Sequence, residues 1–289
     1  MTDVPILVVG ATGTVGSRLV RQLGAAGVKP RVLVRSRDKA DAIASLATPV
    51  IGDLKTPDSL AAAFGGAERV FVLAPPTPEL ETLERNAINA AVAAGARRIV
   101  FLSNYGAAAG DQDWHFDVHG RHELLLASLN VDWTVLRPTR FMNYVPFVWP
   151  SVLNQGLLLE TGGEGAMSFI DPDDIAAVAV KALTEDGHEG QAYELTSEDA
   201  YTAADLKALL SRVLGRDLKI FEGDVDALRD ALIASGAPGE FAPLMADYFG
   251  KVKAGFYKRT DTVARLLGRA PRAYADWLQE NVPVAVGAA

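Results

Sequence analysis

Residues 5–17 read PILVVGATGTVGS, and the reading of this stretch decides the fold. Five apolar residues follow one another without alternation, the pattern of a parallel strand covered on both faces. Three glycines, Gly10, Gly13 and Gly16, then fall three residues apart. Residues 14–26 place Val15, Leu19 and Leu23 on one side of a helix. Glycine admits a positive φ in a tight turn and lets backbone N–H groups approach a ligand closely. The free N–H groups and dipole at a helix start favour a pyrophosphate. The spacing is G-x-x-G-x-x-G, not the commoner G-x-G-x-x-G, and alone it describes only a glycine-rich turn. At the head of a repeated strand–helix pattern it describes a dinucleotide site.

That repetition is present. Apolar runs PILVV (5–9), RVLV (31–34), PVI (49–51), RVFVLA (69–74), RRIVFLS (97–103) and DWTVLR (132–137) alternate with helical segments. One of these, residues 79–94, ends at Gly95, a C-cap residue. The expected fold is α/β, a doubly wound (Rossmann) parallel sheet with right-handed crossovers. After Pro138 the rhythm changes. FMNYVPFVW (141–149) is irregular and aromatic, AMSFI (166–170) and QAYELT (191–196) read as strands, and 171–183 as a helix. From Thr202 onward the pattern is mostly helical, with a short strand near residues 218–221. Residues 1–140 are therefore expected to form the nucleotide-binding domain, completed by elements from about 166–196. Residues 141–289 form a smaller, mostly helical lobe over the carboxyl edge of the sheet.

The composition narrows the function. At 289 residues, 49% apolar and 22% charged, the chain is an ordinary globular protein. A net charge of −8 argues against nucleic acid and against a basic membrane face. No apolar run approaches the ~20 residues of a bilayer span. The opening MTDVPILVVG has no basic leader region, so no signal peptide is expected. With no cysteine there is neither a disulfide framework nor a thiolate site, which fits the cytoplasm.

The second strand ends VLVRSRDK, where an NAD-preferring site carries an acidic residue for the ribose 2′-hydroxyl. Arg35 stands there instead, with Arg37 and Lys39 close behind. Cations concentrated at this point of an acidic protein match a 2′-phosphate, hence NADPH. Read without a ligand, they are a solvated basic helix start. Asp53 in GDL is placed to bond the adenine amino group and Leu54 to pack on its ring. LAPP (73–76), with Ala74 and Pro75, ends the fourth strand on the path to the nicotinamide.

The motifs GATGTVG, LVRSRDKA, GDL, HGRHE, LRPTRFMNY and FIDPDDIA together resemble the NmrA-like group of atypical short-chain dehydrogenases/reductases. That group includes NADPH-dependent quinone reductases, triphenylmethane-dye reductases and catalytically inactive redox sensors. The similarity in motif order runs to about Thr196. It implies that Gly10, Thr12, Gly13, Thr14 and Val15 hold the pyrophosphate, with Arg35 and Lys39 near the 2′-phosphate. It also implies that Ala74, Pro75, Ser103 and Pro138 flank the nicotinamide half, and that the segment after Arg137 closes over it.

Typical short-chain reductases carry Tyr-x-x-x-Lys on the helix after the fifth strand. Here that place reads His119-Gly-Arg-His-Glu123, and the i,i+4 spacing puts His119 and Glu123 on one helix face. An imidazole titrating near neutrality is a proton donor, and Glu123 would orient it and favour its charged form. Equally, His119 is only a pocket wall. Tyr105 in SNYG is a reserve donor. His115, His119 and His122 with Asp117 invite a zinc reading, but hydride transfer needs no metal and His122 would face solvent. Phe141, Met142 and Tyr144 are the expected walls for a flat aromatic substrate, in a cluster that otherwise reads as inter-lobe core. Without the Tyr/Lys pair, a localised alkoxide from a simple ketone lacks its acid. A quinone or dye delocalises the arriving charge. The expected activity is NADPH-dependent reduction of such an acceptor by a monomer or homodimer. The alternative is a non-enzymatic NADP(H) sensor of the NmrA type.

Arg35 generates the first test. A charge-assisted bond contributes roughly 1.5–3 kcal/mol, so NADPH binds about 10- to 150-fold tighter than NADH. Arg35→Ala removes most of that preference and leaves NADH affinity nearly unchanged. Fluorescence titration of both cofactors checks it, and equal affinities in the native protein contradict it.

Overall fold

The computed structural model describes residues 5–143, 151–160, 163–234, 236 and 241–286. Along the chain run β1 (Ile6–Val8), α1 (Thr14–Ala25), β2 (Arg31–Val34), α2 (Arg37–Ile43), β3 (Thr48–Ile51) and α3 (Leu60–Phe64). Next come β4 (Arg69–Val72), α4 (Leu80–Ala93), β5 (Arg98–Leu102), α5 (Trp114–Ser128), β6 (Asp132–Pro138) and β7 (Arg140–Phe141). They are followed by β8 (Leu157–Leu158), β9 (Phe169–Ile170), α6 (Pro172–Thr184), β10 (Gln191–Leu195), α7 (Ala203–Leu214) and β11 (Lys219–Ile220). The helices α8 (Val225–Ala234), α9 (Phe241–Lys253), α10 (Thr262–Leu267) and α11 (Tyr274–Val286) complete the order. Two compact units result, Met1–Pro138 with Pro172–Glu194, and Thr139–Asp171 with Leu195–Ala289.

The first unit is a seven-stranded sheet in the order β10-β6-β5-β4-β1-β2-β3. From β6 across to β3 each neighbouring pair is parallel. Strands β1 and β5 are buried at every residue, as their unbroken apolar runs require. The chain winds outward in both directions from β1, so the strand order reverses between β1 and β4. In open α/β sheets that reversal opens a crevice at the carboxyl ends of the strands.

Helix α1 covers β1 with Val15, Leu19, Val20 and Leu23, all buried. At roughly 1.5–3 kcal/mol for each large aliphatic side chain, this stripe anchors the helix far more firmly than propensity would. Its other side meets α6. Arg18 Nε lies 3.1 Å from Asp173 Oδ2, and Gln22 Nε2 donates to the Asp173 carbonyl at 2.9 Å. At the base of β5 the buried Arg98 guanidinium donates to the Ala182 and Glu185 carbonyls and pairs with Glu189 and Asp186. A buried cation needs such a full set of partners. Here it fastens the C-terminal end of α6 to the sheet.

Two glycines mark backbone approaches that exclude any side chain. A Cβ on Gly16 would lie 2.1 Å from the Gly10 carbonyl oxygen. A Cβ on Gly120, in the middle of α5, would lie 2.2 Å from the Ala108 carbonyl carbon and from the Ala109 nitrogen. The loop after β5 therefore runs directly against α5.

In the second unit, β7 pairs with β9 and β8 with β11, each parallel, beside the helices α7 to α11. Of AMSFI only Phe169–Ile170 is strand, while Met167 makes a single antiparallel bridge to Tyr201. Helix α7 starts with a Thr202/Asp205 capping box and ends at Gly215 in the left-handed conformation. The Arg140–Glu160 pair, 2.8 Å apart, is buried, with the guanidinium 4.9 Å from the Phe249 ring centroid. Phe169 and Tyr274 stack at 4.3 Å. Among the described residues no helix is long and apolar enough to cross a membrane.

The glycines yield a paired test. Gly120→Ala forces the loop off α5 and destabilises by about 1–3 kcal/mol or more. Gly24→Ala, exposed near the end of α1 with nothing within 4 Å of the added methyl, stabilises by about 0.5–1 kcal/mol. Urea unfolding of both variants checks the opposite signs.

Candidate functional site

Six residues singled out in the sequence sit at or just past the carboxyl ends of six adjacent parallel strands. Read across the sheet they are Asp53 after β3, Arg35 after β2, Gly10 after β1, Ala74 after β4, Ser103 after β5 and Pro138 closing β6. With strands ~4.8 Å apart, the row spans ~24 Å, an edge suited to an extended two-part ligand.

At its centre, Gly10 has φ +78°, and a Cβ there would meet the Leu73 carbonyl oxygen at 2.6 Å. Gly10 carries the positive φ of the motif alone. Gly13 has φ −84° in extended backbone, and its added Cβ would meet the Gly10 oxygen at a tight 3.3 Å. Of the two uses of glycine expected in this turn, Gly10 serves the positive φ, while Gly13 and Gly16 serve close approach. Gly13 is the N-cap of α1, makes no side-chain cap, and is followed by no acidic residue in the first turn. The orphan N–H groups of that first turn stay uncapped by side chains beside exposed Thr12 and Gly13, and Val15 is buried beneath them. This is a cradle that Cβ atoms would fill, and it fits a pyrophosphate.

Arg35, Arg37 and Lys39 are all exposed, and none forms an ion pair with a described residue. Ser36 and Asp38 offset their charge at the start of α2: Ser36 caps it through its hydroxyl, and Asp38 lies in the first turn. The three cations suit a 2′-phosphate. Asp53 accepts from the Lys55 N–H at 2.9 Å. Leu54 is half-buried against Ala74, Leu80, Leu83 and Val118, and its carbonyl accepts from Asn86. Pro75 is exposed at the end of the same strand where Ala74 is buried.

Toward β5 and β6 the site changes character. Glu123 accepts from the Ser103 hydroxyl at 2.6 Å and from Arg137 Nε at 3.1 Å, with a further bond from Arg137 Nη2. The carboxylate therefore ties α5 to the ends of β5 and β6 and makes no bond to His119. Spacing put the two on one face, but the guanidinium and hydroxyl win the carboxylate. The Tyr105 N–H donates to the Pro138 carbonyl at 2.9 Å, closing the same two strand ends.

His119 is buried, and burial holds its pKa down at about 4 against the opposing pull of Glu123. It is a neutral imidazole at neutral pH. Its Nδ1 lies 3.4 Å from Glu84 Oε2 without forming a hydrogen bond. His115 meets His119 edge to face at 4.6 Å, and burial lowers it to about 3. The expected exposure of His122 is also corrected: it is 1% exposed, with Nδ1 2.8 Å from Glu84 Oε2. Glu84 is the residue that the sequence reading missed. It is wholly buried on α4, and burial raises its pKa to about 7 against the hydrogen bond from His122. Among the described residues no group of three or more His, Cys, Asp or Glu is arranged to hold a metal. Of the expected substrate walls, Met142 is fully buried and Phe141 half-buried; Tyr144 lies outside the described residues.

A family model described as NAD(P)H-binding matches residues 10–186. The chain is 34% identical to an NAD(P)H azoreductase of Xenophilus azovorans over 98% of its own length and 100% of that protein's. It is 27% identical to an NADPH-dependent quinone oxidoreductase of Escherichia coli, solved with NADPH. That match has TM-score 0.88 and covers 96% of this chain and 99% of the other. Its fold is also that of the Citrobacter sp. triphenylmethane reductase solved with NADP(H), with TM-score 0.85, 24% identity, and 96% and 99% coverage. With a matching model over more than half its length, the chain belongs to the NAD(P)H-binding family.

Proposed function

We propose that this protein is an NADPH-dependent oxidoreductase that passes hydride to a flat, electron-poor aromatic acceptor of the quinone or dye type. The observation that carries the reading is the row of cofactor-suited residues along one sheet edge. When bound, NADPH supplies the hydride. The glycine turn holds the pyrophosphate, and Arg35 with Lys39 selects the 2′-phosphate. Ala74, Pro75, Ser103 and Pro138 border the nicotinamide half, and the Glu123–Ser103–Arg137 network fixes the strand ends there.

The protonation state of His119 supports the acceptor class. No imidazolium stands ready at neutral pH, and no Tyr-x-x-x-Lys pair replaces it. An alkoxide formed from a simple ketone would lack a charged acid, whereas a quinone or dye spreads the arriving charge over its rings. The azoreductase and quinone oxidoreductase among the relatives support the same class. Catalysis is then chiefly positioning of hydride donor and acceptor. A cytoplasmic location belongs to the same proposal, supported by the absence of cysteine.

Purified protein is expected to oxidise NADPH with small quinones or cationic aromatic dyes, without added metal or flavin. Spectrophotometry at 340 nm across an acceptor panel measures this. Tight NADPH binding with no turnover on any acceptor would overturn the enzyme and leave the cofactor sensor as the better account.

His119 also makes a stability signature. Unfolded, it binds a proton below about 6.5; folded, it does so only below about 4. Unfolding therefore takes up a proton between those values, and its contribution to stability falls as pH drops through them. In His119→Phe the unfolding free energy loses about 1.4 kcal/mol less per pH unit between about pH 6 and 4.5. Urea titrations at several pH values check it, and parallel slopes would contradict a buried neutral His119.

A further inference from the structure

Glu84 is a buried carboxyl whose basic neighbours among the described residues are two histidines. From α5, His122 and His119 face it; His119 in turn faces His115 and Glu123 on its own helix and Phe101 on β5. α3, which also packs on α4, is LAAAF and brings no titratable group. On α4 itself, Glu81 is engaged by Arg85 and Arg121. Among the described residues neither Lys nor Arg pairs with Glu84, and its Oε1 has no hydrogen-bond partner.

The orphaned atoms around it are mutually consistent with one arrangement of protons. His122 Nδ1 lies 2.8 Å from Glu84 Oε2; with the His122 proton on Nδ1 it donates there and leaves the unpartnered Nε2 as a bare lone pair. The sealed Nδ1 of His119 is likewise unpartnered, and Glu84 Oε2 lies 3.4 Å from it. A protonated Oε2 would satisfy that lone pair and place the His119 proton on Nε2. What exposure the His119 side chain keeps, 6%, cannot come from Nδ1.

Building on the reductase reading, we propose that Glu84 is a positioning residue that stores the proton His119 hands to a reduced quinone. Once a quinone has accepted a hydride, it is a hydroquinone monoanion lacking one proton. His119 releases its Nε2 proton to that oxygen while Nδ1 takes the proton from Glu84 Oε2. The products are the neutral hydroquinone, a Glu84 carboxylate and His119 in its other tautomer. A proton from water at Nε2 then returns the Nδ1 proton to Glu84, so each turnover consumes one solvent proton. The raised pKa of Glu84, near 7, and the depressed one of His119 suit a neutral imidazole used as a shuttle. A cationic triarylmethane dye needs no such proton, since hydride addition alone makes it neutral.

Two measurements test this. In the apoprotein, 15N spectra are expected to show His119 neutral and protonated at Nε2. Its Nδ1 resonance moves with a midpoint near pH 7, and that transition is absent in Glu84→Gln. In the loaded enzyme, Glu84→Gln lowers kcat on quinones about tenfold more than on a cationic dye, with KM little changed, and the excess fades below pH 7. Equal losses on both acceptors would mark a purely structural role and overturn the proposal. So would a His119 that takes up its own proton near pH 6.5, or a transition that survives in Glu84→Gln. If the variant does not fold, the native titration decides alone. If the native protein reduces no acceptor, the reductase reading fails, while the apoprotein spectra still judge the Glu84–His119 coupling.

Discussion

Helix α1 can begin where it does only because Gly10 and Gly16 bring backbone against backbone. The Gly10 oxygen occupies the place of any Cβ on residue 16, and Gly10 itself turns with a positive φ under Leu73. A methyl at either position would lift the helix from the strand end. The N–H groups of its first turn would leave the edge where the other five strand ends converge. Arg35, Asp53, Ala74 and Ser103 share one row with that central turn only while it stays flush with the sheet.

A second constraint lies behind this edge. Burying a carboxyl without a cation is costly, and the interior here offers Glu84 only imidazoles that are themselves desolvated. Departures from a fully apolar core tend to cluster at functional sites. The same helix that carries His119 and His122 also meets the loop after β5 at Gly120, so the imidazoles are held by backbone contact as well as by side chains.

The sheet was legible in the sequence because parallel strands are apolar on both faces and glycine turns punctuate them. The helix read as residues 79–94 spans 80–93, and the strand read as 31–34 is unchanged. The strand ends after which Arg35, Asp53, Ala74 and Ser103 fall were legible for the same reason. The polar interior was harder. In LETLERNAINA, Glu84 looks like one of several surface charges, yet the buried positions 80, 84, 87 and 91 follow helical spacing and include it. Gly120 carried a comparable signal, a glycine inside a helical pattern. The pairing of Glu123 with Arg137 could not be read from spacing, because β6 is brought beside α5 only by the tertiary fold.

The discontinuity of the first unit bears on how the chain matures. Arg18 and Asp173 are 155 residues apart, and α1 and β6 gain α6 and β10 only after the second unit has begun. During synthesis at ~5–20 residues per second, the 56 residues from Pro138 to Glu194 take about 3–11 s to emerge. Through that interval β6 is a sheet edge without its outer neighbour, and such edges are sites of mispairing. Non-local closure of this kind also slows folding. The nascent sheet is thus most exposed to aggregation while residues 139–194 are still being made.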